Sequence, residues 1–363
     1  AFVEKQFYCA LVHVMLWKTS TFLLLLTFLD ENLACPYREV PVLEYQLFNY
    51  SREGLLQKTV VTNIIKVLDN YEESIYVVNQ FLPELCCEML NLTREIQEIV
   101  FHSSSVQYIE EACFSASIQY VTKNVEFKSN PLTIIKRGTF TNLKIEQLVL
   151  TNNLIETLED GAFLNMTKLR LIALSRNRLQ VLNSRAFSAL PKLEDLELHQ
   201  NRIKHLQHGA LSFLSKSASV SLTCNNIFQI GNFLEGTPLK IKLNLDLDGN
   251  EITTFSGNIV ENRTFGTLNL AYNPLINISA VLGSTKIERL EFSCEYLRLK
   301  EAQGVVNWAK GHNTLLYLDG CSQYNISFDG GHQPISCTAA RDALIYSYLF
   351  YLNIFGIVNQ IYH

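Results

Sequence analysis

The chain has 363 residues, 48% of them hydrophobic and 18% charged, with a net charge of −5 at pH 7. Such a composition can bury a core and excludes a disordered chain, and the length suits two ordinary domains or one long solenoid. The charge is mild and no basic block occurs, which argues against nucleic acid as the main partner.

From Met15, the expected true start, the sequence reads as an export signal. Lys18 stands in a short n-region, an apolar run extends from Thr21 to Leu29, and Asn32-Leu33-Ala34 precedes Cys35. The stretch Phe22 to Leu29 is too short to span a bilayer. Residues 1–34 are therefore expected to be a signal sequence, and the mature chain to be secreted or held at the cell surface. Its loss leaves eight cysteines: Cys35, Cys86, Cys87, Cys113, Cys224, Cys294, Cys321 and Cys337. An even number in an exported chain fits disulfides. Six N-x-[ST] sequons, at Asn49, Asn91, Asn165, Asn262, Asn277 and Asn325, predict a glycoprotein. No Cys/His spacing resembles a zinc site, and neither a metal nor a cofactor is expected.

Residues 35–95 read as an N-terminal cap with degenerate repeats. Asn79 falls 25 residues before Ser104, and Asn63 to Asn70 suits a short helix. Residues 96–293 then repeat. The cleanest unit carries Leu169, Ile172, Leu174, Asn177, Leu179, Leu182, Phe187 and Leu190, and its neighbours match it position by position at a spacing of 24. One neighbour runs from Ile145 to Met166, the other from Leu193 to Leu214. The asparagines Asn130, Asn153, Asn177, Asn201, Asn225, Asn250 and Asn273 mark the register, at spacings of 23, 24, 24, 24, 25 and 23. Ser104 and Glu295 occupy the same slot at the two ends.

The pattern has a direct physical reading. Leu-x-Leu alternation makes a short strand with both leucines inward. The turn that follows leaves backbone groups free inside. Asn carries a donor and an acceptor on a short stem, so it can satisfy both kinds. No single unit buries its own apolar face, so stability comes from stacking neighbours.

On these residues the sequence resembles the leucine-rich-repeat family in its extracellular form of about 24 residues per unit. It is similar to insect secreted leucine-rich-repeat immune proteins and to Toll-type receptor ectodomains in repeat length, sequons and signal. Unlike many of the insect proteins, it shows no heptad-rich coiled coil after the repeats. The resemblance implies an α/β repeat fold: a leucine-rich-repeat solenoid with a curved parallel β-sheet on its concave face and disulfide-containing end caps. Residues 294–337 are expected to form the C-terminal cap, with a helix over Glu301–Lys310 whose apolar side is Val305, Val306 and Trp308. Cys294–Cys321 is the favoured bridge there. Cys86 and Cys87 are adjacent and are not expected to pair with each other; each finds Cys35, Cys113 or a second chain, which opens a disulfide-linked homo- or hetero-dimer. Cys337 is left unassigned, and Cys224, one residue before Asn225, also reads as a free thiol. The apolar tail, 338–363, includes 21 residues from Ala343 that could just cross a bilayer. Asn353, Asn359 and Gln360 oppose that reading, so membrane attachment and an apolar cap strand both stay open.

No catalytic signature occurs: no G-x-S-x-G, no phosphate-binding glycine loop and no H-E-x-x-H. The chain is read as no enzyme. Polar residues gather instead on the outward positions of the expected strands. Asp195, Glu197, His199, Asp246, Asp248 and Tyr272 are the candidate binding residues for a protein or pathogen-derived ligand. A role in innate immunity or cell-surface signalling follows from the resemblance; the alternative is a matrix or adhesion component with no signalling role.

Overall fold

The computed structural model describes residues 74–78, 82, 84–85, 95–110, 114, 121–254, 262–278, 282, 286–294 and 297–319, with the backbone of 45–50 and 56–61. The signal sequence, the helix expected at Asn63–Asn70, the sequons Asn91 and Asn325, the side chain of Asn49, the tail 338–363, and Cys35, Cys86, Cys87, Cys113, Cys321 and Cys337 lie outside them.

Thirteen strands among the described residues join in one sheet. In chain order they are β1 (Tyr45–Tyr50), β2 (Leu56–Val61), β3 (Ser74–Val78), β4 (Ile96–His102), β5 (Val121–Lys128), β6 (Gln147–Val149), β7 (Leu171–Ala173), β8 (Asp195–Glu197), β9 (Ala218–Ser221), β10 (Lys242–Asp246), β11 (Thr264–Leu270), β12 (Lys286–Ser293) and β13 (Leu315–Asp319). Strand β1 pairs antiparallel with β2 and β3. From β3 to β13 every neighbour is parallel and follows in sequence. The helix α1 (Leu299–His312) makes the crossover between β12 and β13. The sheet thus continues beyond the expected repeat limits at both ends, with β3 before residue 96 and β13 after residue 293.

Each turn of the solenoid returns on the far side, where Phe140–Thr141, Phe163–Leu164 and Phe187–Ser188 form a small parallel ladder of their own. Between the two ladders lies the core. Leu148, Ile172, Leu196, Val220 and Leu245 point into it from the strands and are all but inaccessible. A column of rings fills its outer half: Phe140 stacks on Phe163 at 5.9 Å, Phe163 on Phe187 at 5.2 Å and Phe187 on Phe213 at 4.5 Å; on the strand side Phe101 stacks on Phe127 at 4.7 Å. Such pairs add to the burial of their area.

The seven register asparagines are all buried. Asn177 shows what each does. Its Nδ2 donates to the carbonyl of Leu174 in its own turn at 2.9 Å and to that of Leu150 in the preceding turn at 2.8 Å. Its Oδ1 accepts the N–H of Ile155, again in the preceding turn, at 3.0 Å. Asn201 repeats the arrangement with Leu198, Leu174 and Leu179. At the upstream end Ser104 does a shorter version, its hydroxyl donating to Val77 O at 2.8 Å and to His102 O at 3.1 Å. The residue before the slot turns the chain with a left-handed backbone: φ is +58° at Asn152, +56° at Arg176, +57° at Gln200, +55° at Cys224 and +64° at Gly249. Outside glycine that conformation costs roughly 1–2 kcal/mol, offset here by the hydrogen bonds the turn makes possible.

Helix α1 is longer than expected at both ends. It buries Ala302, Val305, Val306 and Ala309, and closes on Asn313 at φ +55° with Lys310 and His312 in the last turn, where cations suit the helix dipole. Trp308 is half-buried against the core.

One irregularity separates β10 from β11, whose register shifts between Leu243 and Asn244. Gly266 sits at this bulge. A Cβ there would overlap Asn244 Oδ1 and stand 2.7 Å from Lys242 Cε. Asn244 Oδ1 accepts the Thr267 N–H at 3.1 Å, which secures the shifted register. Replacement Gly266→Val is expected to cost roughly 1–3 kcal/mol through overpacking, read as a lower urea midpoint. An unchanged midpoint would show that the bulge has slack.

Candidate ligand-binding face

The open face of the sheet is set by pleat and register. Alternate residues of each strand point out, and parallel pairing aligns them in rows. One row runs Glu98, Asn124, Gln147, Leu171, Asp195, Ser219, Asn244. The next runs Val100, Glu126, Val149, Ala173, Glu197, Ser221, Asp246, Asn269, Glu291, Tyr317. Across β6 and β7 the face is apolar, with Val149, Leu171 and Ala173. On either side the face is acidic.

Strand β9 presents only small groups, Ser219 and Ser221, and Thr223 lies just beyond it. These make a groove between Glu197 on β8 and Asp246 on β10. Two strand spacings put the walls about 10 Å apart at the backbone. Burial pushes the Asp246 carboxyl up, opposed by the hydrogen bonds it accepts from the Asp248 N–H and the Thr223 hydroxyl. Burial pushes His199 down, against the pull of Glu197 and Asp246, so this imidazole is neutral at pH 7. Asp195 is raised by burial and by the neighbouring charges of Glu194 and Glu197. A carboxylate held away from water beside like charges is in a state that a cation improves. Further along, Arg289 donates through Nε to Glu291 Oε1 at 2.6 Å and lies 4.0 Å from the centre of the Tyr317 ring.

Of the six candidate residues, Asp195, Glu197, His199 and Asp246 come together around this groove. Two need correction. Asp248 is only 5% exposed: its strand ends at Asp246, and the chain is already turning inward toward Asn250. Tyr272 likewise follows the end of β11, in the turn, at φ +49°, its N–H donating to Ser293 Oγ at 2.8 Å. Cys224 is also corrected, because it is disulfide-bonded, as is Cys294. The two stand three strands apart along the sheet, about 14 Å, too far to bond with each other; their partners lie outside the described residues. The small residues of β9 and the acidic positions of β4 and β5 also belong to the face and are not among those six. Both were legible from the same alternation, carried one strand further.

Asn165, Asn262 and Asn277 are all exposed, and none stands on a strand of the main sheet. Among the described residues no group of three or more His, Cys, Asp or Glu side chains is placed to hold a metal ion, and no helix is long and apolar enough to cross a membrane.

Strand, inward-facing asparagine and outer return, stacked turn on turn, define a leucine-rich-repeat solenoid. The family model for leucine rich repeats matches residues 123–179, 143–203 and 167–227. No curated protein matches the chain. Among solved structures, the TLR13–ssRNA13 complex is 21% identical over 57% of this chain and 34% of that one, with a TM-score of 0.43. The leucine-rich repeat domain of APL1B is 21% identical over 56% and 58%, also at 0.43. The Drosophila Toll–Spatzle complex is 13% identical over 62% and 40%, at 0.38. The chain thus spans about a third to just over half of the length of these three.

Proposed function

We propose that this protein is a non-enzymatic binding scaffold, secreted or displayed at the cell surface, that takes a protein ligand on the open face of its sheet. The observation that carries this reading is the alignment of outward side chains across eleven parallel strands into a broad face, apolar on β6 and β7 and polar on either side. At about 4.8 Å per strand it is roughly 48 Å wide, ample for a standard interface of about 800 Å² per partner. Asp195, Glu197, His199 and Asp246 are its proposed contacts. The Asp248 N–H holds the Asp246 carboxylate from the adjoining turn. The export signal and the sequons favour an extracellular setting, and carbohydrate on Asn165, Asn262 and Asn277 would leave the face open. A role in innate immunity or cell-surface signalling rests on the sequence resemblance in repeat length, sequons and signal.

Site-specific photocrosslinking tests the proposal. A photoreactive residue at Ser219, on the face, should give a discrete protein adduct when the purified protein meets extracellular fluid from its own source. The same group at Lys192, on a loop away from the strands, should give none. Equal labelling from both, or from neither, would count against ligand binding on the sheet. The charge of the groove should matter in the same assay. Glu197→Gln with Asp246→Asn is expected to cut the Ser219 adduct by about tenfold or more, since close charge pairs in interfaces are worth about 1.5 kcal/mol upward.

A further inference from the structure

The upstream part of the face carries a second acidic group, outside the residues considered so far. Glu98 on β4 and Asn124 on β5 are paired across the sheet, and Glu126 stands two residues along from Asn124 on the same side. Tyr76 on β3 reaches over and donates its hydroxyl to Glu98 Oε1. Glu126 stands two strands from Tyr76 in the same row, with Val100 between them. Val100 is almost fully buried.

Asn124 makes this more than a pair of acids. It is 94% buried, being 6% exposed. Its Nδ2 donates to Glu126 Oε1 at 2.7 Å, and its Cα is paired across the strands with that of Glu98. Its Oδ1 is buried and has no hydrogen-bond donor. A buried carbonyl left without a donor costs about 1–3 kcal/mol. Here it sits beside two carboxylates, and the Tyr76 hydroxyl is committed to one of them. The group holds an excess of acceptors with too few donors. Lys128 and His102 stand on the next row toward the register asparagines. Lys128 is exposed, and burial followed by the Lys128 charge pushes His102 down.

We propose that Glu98, Asn124 and Glu126, beside the Tyr76 ring, form a subsite for a guanidinium group on an arginine of the protein ligand. The proposal rests on the binding role given to this face above and names the chemistry of one contact. A guanidinium offers five N–H donors in a planar fork. It can meet two carboxylates and the Asn124 carbonyl together, while its plane lies against an aromatic ring. An ammonium would supply three donors from a single point and fits this spread of acceptors less well.

The probe is a fluorescent peptide, acetyl-(Gly-Arg)4-amide, titrated into the full chain at low salt and followed by anisotropy. Its control is the same peptide with citrulline for arginine, which keeps the shape and loses the charge. The arginine peptide should bind at least tenfold tighter than the citrulline one. Glu98→Gln with Glu126→Gln should remove most of that difference, and Asn124→Leu should reduce it. Glu156→Gln with Glu235→Gln, acids away from the face, should leave it unchanged. Thermal unfolding of each variant shows whether the fold is kept. Equal binding of the two peptides overturns the subsite, as does an equal loss from the two pairs of Gln variants. If the subsite fails while the Ser219 adduct persists, the face still binds protein and only the arginine assignment is wrong.

Discussion

Asn177→Ala is expected to destabilise the protein by about 3–5 kcal/mol, more than any surface change described above. The side chain serves three buried backbone groups: the carbonyls of Leu150 and Leu174 and the N–H of Ile155. Alanine leaves the Ile155 N–H without a partner, at about 1–3 kcal/mol, and takes one of two donors from each carbonyl, at about 0.5–1.5 kcal/mol apiece, since Leu150 also accepts from Asn153 and Leu174 from Asn201; part is recovered by relaxation or an entering water. Asn177→Ser should cost less, because Ser104 already bridges two turns through its hydroxyl. Urea unfolding followed by circular dichroism would rank the three proteins. If serine proved as harmful as alanine, the cost would come from lost packing and not from the hydrogen bonds.

Phe163→Ala should be of similar size, roughly 3–5 kcal/mol, the usual cost of emptying a buried aromatic site. Phe163 is fully buried and joins Phe140 to Phe187 in the ring column. Its loss interrupts the ring column that links consecutive turns on their outer side. In a solenoid whose stability sums over neighbouring units, a weak joint in the middle should also uncouple the two halves. The unfolding curve is expected to broaden or split into two steps. A single sharp transition at lower denaturant would mean that the outer ladder of Phe140–Thr141, Phe163–Leu164 and Phe187–Ser188 is enough to keep the halves together.

The core was legible in the sequence because burial leaves a periodic trace. Leu148, Ile172 and Leu196 recur at 24 residues since each must meet the one before it. The asparagine slot was legible for the same reason: few side chains can both donate and accept in so small a space. The open face was only partly legible. Asp195, Glu197 and Asp246 follow from strict alternation. His199, Asp248 and Tyr272 lie beyond their strands, where alternation no longer decides which side chain stays on the face, and the sequence marks a strand's end only to within a residue or two. Asn124 carried no signal of its own. Its meaning depends on Tyr76 and Glu98 from the two preceding strands, and such company is fixed only when the turns are stacked. The bulge at Gly266 was equally silent, since glycine in a strand has several uses.

The hydrogen bonds of the asparagines have a direction. Each reaches back to the turn before it, and none of those described for Asn177 or Asn201 reaches forward. A turn therefore arrives with its own fastening and asks of its predecessor only two backbone groups, which every turn offers. Whole turns are interchangeable on those terms. Excising the 24 residues that separate Asn153 from Asn177 would bring one slot onto another with every link intact, whereas losing a fraction of a turn would break all of them at the seam. Length can thus change in the lineage of such a gene by unequal exchange of complete units, while the outward residues of each surviving strand drift freely under selection for a partner.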